Sequence, residues 1–122
     1  KTAPPNLRIV DFKDRSQLIL ELLSASVYLQ LSYYESFGVS VAEAIACGAY
    51  PIVSKGTALP EIINGCGETV DPEIPDSVVQ AVSDAVIQKK FKTVRPKEVR
   101  SKFSVKNRGS RLERAIRSVV EK

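Results

Sequence analysis

Val27–Ser54 reads VYLQLSYYESFGVSVAEAIACGAYPIVS. It opens on a short apolar run, Val27–Leu31, which predicts a strand. A loop, Ser32–Gly38, follows. Val39–Cys47 has the small and aliphatic spacing of a short helix, and Gly48 closes it. Tyr50–Ser54 is apolar again and predicts a second strand, with Pro51 near its start. Strand, loop, helix and strand in this order make a parallel β-α-β unit.

The rest of the chain extends that unit in both directions. Leu7–Asp11 (LRIVD) reads as a strand, and Arg15–Ala25 as a helix with Leu18, Ile19, Leu22 and Leu23 at helical spacing. Downstream, Ala58–Asn64 predicts one or two helical turns with Pro60 near the first position. Glu68–Val70 predicts a short strand. A longer helix runs from Pro75 and Asp76 to about Lys89. A further turn or two begins at Pro96 and ends near Phe103. A last helix covers about Lys106–Val120, with Leu112, Ile116, Val119 and Val120 on one stripe. Short strands that are apolar on both faces and alternate with helices predict an α/β fold, a three-layer parallel sheet covered on both sides. Ligands of such sheets sit beyond the carboxyl ends of the strands. Ser32–Gly38 and Lys55–Glu61 both lie at such ends.

Composition narrows the chemistry. The 122 residues are 43% hydrophobic and 26% charged, as in an ordinary globular domain. There is no histidine, which excludes Ser-His-Asp and Cys-His catalysis and His-ligated metals. The two cysteines, Cys47 and Cys66, lack metal-ligand spacing and read as buried thiols of a reducing compartment. The expected location is the cytoplasm, including a peripheral position at the inner face of the membrane. Apolar runs fall short of the roughly 18–20 residues that a membrane span needs. Charge is unevenly spread: residues 1–88 hold 5 Lys/Arg against 11 Asp/Glu, and residues 89–122 hold 13 against 3. Such a tail suits an anionic partner, or a solvated helix packed on the acidic body. Phe91 and Phe103 are the tail's only aromatics, and no nucleic-acid motif is present, so no specific nucleic-acid partner is expected. Lys89, Lys90, Lys92, Arg95 and Lys97 suit acidic headgroups better.

Two acids stand out around the first predicted helix of the unit, Glu35 and Glu43. The N-terminus of that helix, near Val39, offers backbone N–H groups to an anion such as a phosphate. Gly38 lets the backbone approach a ligand closely. Carboxylates on both sides of a phosphate site suit a ligand with hydroxyls at both ends. A sugar nucleotide has that form: sugar, diphosphate, ribose. The residues alone also permit a plainer account. Ser40-x-x-Glu43 matches a capping box, Glu35 can be a solvated loop acid, and Phe37 a core anchor.

The wider pattern adds to this. Around the pair stand Ser32, the Glu-x-Phe-Gly of Glu35–Gly38, and the Glu-Ala of Glu43–Ala44. The Ala-x-Gly of Ala46–Gly48, the Pro-x-Val of Pro51–Val53 and the Gly-x-x-x-Pro-Glu of Gly56–Glu61 follow. Phe103-Ser104 precedes the closing amphipathic helix. In that order these residues resemble the donor-binding half of retaining glycosyltransferases of family 4, in the large GT-B group, whose mark is E-x7-E. The resemblance runs from about Asn6 to the end. It implies that residues 1–122 are a partial, Rossmann-like C-terminal nucleotide-sugar-binding domain, with C-terminal helices at about 96–122.

It also implies roles. Glu35 is the catalytic residue, contacting hydroxyls of the transferred sugar. Ser36, Phe37, Gly38 and Val39 form the donor-binding loop, with the amides of Phe37, Gly38 and Val39 along sugar and diphosphate. Glu43 holds the ribose hydroxyls. The donor is a nucleotide sugar such as GDP-mannose or a UDP-hexose, and no metal or further cofactor is expected. The reaction is hexosyl transfer to an acceptor hydroxyl, in glycan, capsule or glycolipid synthesis. The implied partners are an N-terminal acceptor domain, a lipid-linked acceptor or membrane surface, and a second copy paired through an uncovered sheet edge. The Arg and Lys with which that family clamps the diphosphate have no match here: Arg8 lies in a predicted strand, Arg15 opens a helix, and Lys55 sits at a strand end. The isolated chain is therefore expected to be inactive. The alternative is a non-catalytic nucleotide-sugar-binding or partner-subunit module.

Overall fold

The computed structural model describes residues 4–11, 14–56 and 58–120. Its elements are α1 (Arg15–Ser24), β1 (Val27–Gln30), α2 (Val39–Ala46), β2 (Tyr50–Ser54), α3 (Leu59–Ile63), β3 (Glu68–Val70), α4 (Pro75–Ile87), α5 (Pro96–Lys102) and α6 (Val105–Val120). A 3₁₀ turn at Lys90–Thr93 links α4 to α5. The three strands form one parallel sheet in the order β1-β2-β3. Leu29 stands opposite Ile52, and Ile52 opposite Glu68.

β2 is the middle strand, and all five of its residues are buried. Alternation of side chains sends its residues to two faces. Val53 packs with Val41 and Ile45 of α2, Leu59, Ile62 and Ile63 of α3, and Val99 of α5. Tyr50 and Ile52 pack on the other face with Val70, Ala81 and Ala85, the last two from α4. Helices thus cover both faces of the sheet, and the fold is the α/β arrangement read from the sequence. α1 joins through a smaller cluster in which its Leu22 meets Ala44 and Ala49.

Helix ends follow their local chemistry. Asp14 caps α1: its Oδ1 accepts from the Gln17 N–H at 2.9 Å. Pro75 and Pro96 sit at the first positions of α4 and α5, where a missing N–H costs nothing. α2 ends in a Schellman turn, with Gly48 at φ +97°; the Gly48 N–H bonds the Ile45 carbonyl and the Ala49 N–H that of Ala44.

Leu7–Asp11 is not a strand. Strand geometry is held by a ladder, and this backbone joins none among the described residues. Arg8 instead reaches α1, where its Nη2 donates to Glu21 at 2.8 Å. Ile9 is left 81% exposed. α4 also stops at Ile87, short of the expected Lys89, because Lys89 takes a left-handed conformation (φ +52°) that turns the chain into the 3₁₀ turn.

Candidate functional site

The site region starts where β1 ends. From Gln30 the chain crosses a loop to Gly38, the N-cap of α2. Gly38 is buried and left-handed, with φ +79° and ψ +47°. A Cβ there would come within 2.7 Å of Leu59 Cδ2. Glycine is therefore needed twice over, for the turn and for the close packing on α3. Among the described residues no side chain caps α2, so its first-turn amides are open at the carboxyl end of β1. The capping box is not formed: the helix starts at Val39 with Gly38 as its cap, which places Ser40 inside the first turn.

Both acids lie near the Tyr28 hydroxyl. Burial raises the Tyr28 hydroxyl above its ordinary range; a hydrogen bond with Ser40 opposes that, and the charges of Glu43 and Glu35 add to it. Glu35 is half-buried, and its Oε2 accepts from Gln30 Nε2 at 2.9 Å. Gln30 in turn accepts from the Tyr28 hydroxyl at 3.1 Å. Glu35 is thus held by strand side chains and is not a loose loop acid. Glu43, on the second turn of α2, accepts at Oε1 from Arg15 Nη2 at 2.7 Å. The Glu43 side chain is 25% exposed and that of Arg15 75%.

The loop residues between the acids differ in exposure. Ser36, Phe37 and Val39 are exposed, and Gly38 is buried. Phe37 is no core anchor. Its ring stands 46% exposed and packs edge-on against Phe103, with centroids 5.5 Å apart. The Phe103-Ser104 segment and the Glu-x-Phe-Gly loop, far apart in sequence, therefore touch.

Beside this loop a cleft of about 270 Å³ opens at the carboxyl ends of all three strands. Ser32, Tyr33, Ser54, Lys55, Gly56 and Asp71 line it. Ser54 is buried, and its hydroxyl donates to the Ser32 carbonyl at 2.5 Å, tying the two strand ends together. Lys55 Nζ donates to Asp71 Oδ2 at 2.6 Å. That contact raises the Lys55 ammonium and holds the Asp71 carboxyl below its ordinary range. A larger hollow of about 360 Å³ lies by Tyr50, the first residue of β2, and Arg95; no predicted site residue lines it. Its position at the other end of β2 makes it the weaker ligand site. Cys66 borders it, half-buried, with its thiol pushed up by burial and donating to the Ile63 carbonyl.

The structure therefore brings together Glu35, Gly38, the start of α2 and Glu43, as the spacing suggests. It adds Arg15, Gln30 and Tyr28. Gln30, a lone amide in the apolar run VYLQL, is a visible signal. Arg15 has none: it stands 28 residues before Glu43 and meets it only because α1 packs on α2. Among the described residues no three His, Cys, Asp or Glu side chains gather as a metal site. No described helix is long and apolar enough to cross a membrane.

The chain is similar to known proteins. The chain is 34% identical over 55 residues to the O-antigen chain mannosyltransferase B of Escherichia coli, which covers 45% of this chain and 14% of that protein. It is 34% identical over 73 residues to a GDP-mannose-dependent alpha-(1-6)-phosphatidylinositol dimannoside mannosyltransferase of Mycobacterium tuberculosis, covering 60% of this chain and 19% of that protein. The matches span less than a fifth of either relative's length. Residues 2–103 match the family of glycosyl transferases group 1, a span that takes in the sheet, both acids and the cleft; the chain belongs to that family.

Proposed function

We propose that this chain is the donor-binding part of a retaining, family 4 glycosyltransferase of the GT-B fold, and that it grips a nucleotide sugar between Glu35 and Glu43. One observation carries the reading. The two acids flank the uncapped N-terminus of α2 at the carboxyl end of β1, both close enough to act on the Tyr28 hydroxyl. In this account the Glu35 carboxylate accepts hydrogen bonds from hydroxyls of the hexose. The amides of Phe37, Gly38 and Val39 meet the diphosphate, beside Ser36, and Glu43 accepts from the ribose hydroxyls.

The chemistry follows from those contacts. The bond between the anomeric carbon and the phosphate oxygen breaks, and its electron pair leaves with the diphosphate. The α2 N-terminus and nearby basic side chains stabilise that charge as it develops, in place of a metal. The acceptor oxygen bonds the same face of the sugar, and its proton passes to the departing phosphate oxygen. Arg15 supplies a cation at the ribose end: once ribose hydroxyls engage Glu43, its exposed guanidinium is free to turn toward the diphosphate. Both named relatives are mannosyltransferases, which favours a mannosyl donor such as GDP-mannose. The acceptor belongs to a separate N-terminal domain, and residues 1–122 alone hold the donor without transferring the sugar.

Ligand-detected NMR of the chain with GDP-mannose and UDP-glucose tests this. Glu43→Ala is expected to weaken nucleotide binding about tenfold or more, as expected for loss of a charged hydrogen bond. Glu35→Ala is expected to dim contacts to the sugar protons while nucleotide contacts persist. Unchanged binding by both variants would reduce the pair to structural acids.

A further inference from the structure

β1 carries one side chain that its own pattern does not call for. Gln30 is the sole amide in the apolar run Val27–Leu31, at a place where a leucine or valine would serve a packed strand. It is half-buried, and an amide withdrawn from water costs stability unless its polar ends find partners. Both ends do. Its Oε1 accepts from the Tyr28 hydroxyl at 3.1 Å. Its Nε2 donates to Glu35 Oε2 at 2.9 Å, with Ser32 Oγ further off at 3.4 Å.

The order of these bonds sets a direction. Tyr28 and Gln30 are two residues apart on a strand and so share a face. It is the face that α2 covers, because Tyr28 packs against the clusters that hold Val41 and Ala44 of that helix. The Tyr28 hydroxyl also hydrogen-bonds with Ser40, in the first turn of α2. A phenol that donates to the amide oxygen leaves the N–H end of the amide to face Glu35. Four side chains, Ser40, Tyr28, Gln30 and Glu35, thus run from the start of α2 through β1 to the loop acid. Glu35 itself stands outside any helix or strand, whereas β1 is paired with β2 along its whole length.

We infer that Gln30 is the positioning residue of Glu35, and that with Tyr28 it sets where the Glu35 carboxylate stands relative to the first-turn amides of α2. This rests on the donor reading above, in which Glu35 meets hexose hydroxyls and those amides meet the diphosphate. The spacing of acid and amides is then the spacing of sugar and diphosphate, and the ladder of β1 holds it more firmly than a loop would. A neutral amide suits the task. It orients the carboxylate by donating to it and leaves its charge to act on hydroxyls, whereas an arginine, as at Glu43, offsets that charge. The competing account gives Gln30 a part in strand packing alone, and under it any side chain of similar size would serve.

Saturation-transfer NMR of the 122-residue chain with GDP-mannose tests this, read as the ratio of mannose-proton to ribose-proton transfer. Gln30→Leu removes the donor at similar volume and should lower that ratio about threefold or more while ribose contacts persist. Gln30→Glu keeps the shape and still accepts from Tyr28, but sets a second carboxylate against Glu35; it should lower the ratio at least as far. Tyr28→Phe, which frees the amide to turn, should lower it about twofold. In a Glu35→Ala background, Gln30→Leu should change nothing further, because it acts through the missing acid. Circular dichroism verifies folding; should Gln30→Leu fail to fold, Tyr28→Phe, which deletes one oxygen, decides in its place. A ratio lowered by Glu35→Ala but unmoved by the deciding variant would overturn this inference and leave the donor reading standing. So would a Gln30→Glu chain that behaves as the parent, or a further loss from Gln30→Leu on top of Glu35→Ala. A ratio unmoved by Glu35→Ala, or no transfer from the parent chain, would instead overturn the donor reading and this inference with it.

Discussion

β2 and α6 both carry branched aliphatic residues, and the molecule treats them in opposite ways. In β2, Ile52 and Val53 are wholly buried. In α6, Leu112 and Ile116 are mostly in water. Apolar content does not separate them; neighbours do. β2 has a strand on each side and helices on both faces, so each of its side chains meets a complementary surface. Among the described residues α6 meets such a surface at its first turn, and Arg108–Ser118 are exposed. Burying a valine or isoleucine contributes about 1.5–3 kcal/mol, so folding free energy concentrates around β2. The exposed α6 stripe adds little to folding.

The widest test of that contrast removes the same atoms from each region. Ile52→Ala leaves a cavity between the sheet and α4 and is expected to cost about 2–5 kcal/mol. Ile116→Ala, the same deletion on an exposed helix, is expected to stay within about 0.5 kcal/mol. Urea unfolding midpoints measure both. Comparable losses would mean that α6 is packed in solution, and the contrast would fail.

A narrower test asks how far the buried region reaches into the site. Gly38 joins the two, as the cap of α2 and a close neighbour of Leu59. Gly38→Ala imposes a left-handed φ on a residue with a Cβ, and that Cβ meets Leu59 Cδ2 at 2.7 Å. The expected cost is about 2–3 kcal/mol, with nucleotide-sugar binding lost along with the loop geometry. A variant as stable as the parent would show a loop able to shift away from α3, and so a site less rigid than the core.

The reach of sequence reasoning follows the same division. β1, β2 and β3, with α2, α4 and α5, were legible because period and end signals act within a few residues. Leu7–Asp11 was not, because a strand exists only by pairing, and an apolar run does not say whether a ladder awaits it. The spacing of Glu35 and Glu43 was legible as two acids around a helix start. What held them was less so. The capping account failed by two residues, since the cap is Gly38 and not Ser40. Arg15 was considered as an isolated helix-opening residue, and its contact with Glu43 arises only from the packing of Leu22 against Ala44 and Ala49.

The smallest expected effect lies at the rim of the cleft, where Lys55 and Asp71 join the ends of β2 and β3. The pair is at the surface, and surface pairs contribute little, so its signature is a pH dependence more than a large loss. The Asp71 carboxyl is held below its ordinary value, chiefly by the Lys55 hydrogen bond. A depressed carboxyl contributes stability above the unfolded-state value of about 4. That contribution is lost as pH falls through the lower folded value, where Asp71 takes up its proton. Lys55 is raised by the same bond; its part is present below the ordinary lysine value and fades only as pH rises through the higher folded one. Between these limits the pair is intact. Asp71→Asn should therefore unfold at slightly lower urea than the parent at pH 7, and the two should converge as the pH is taken well below 4. In acid both side chains are neutral and the oxygen of either accepts from the Glu73 N–H, so a gap that persists there would show that the loss does not come from the Asp71 charge.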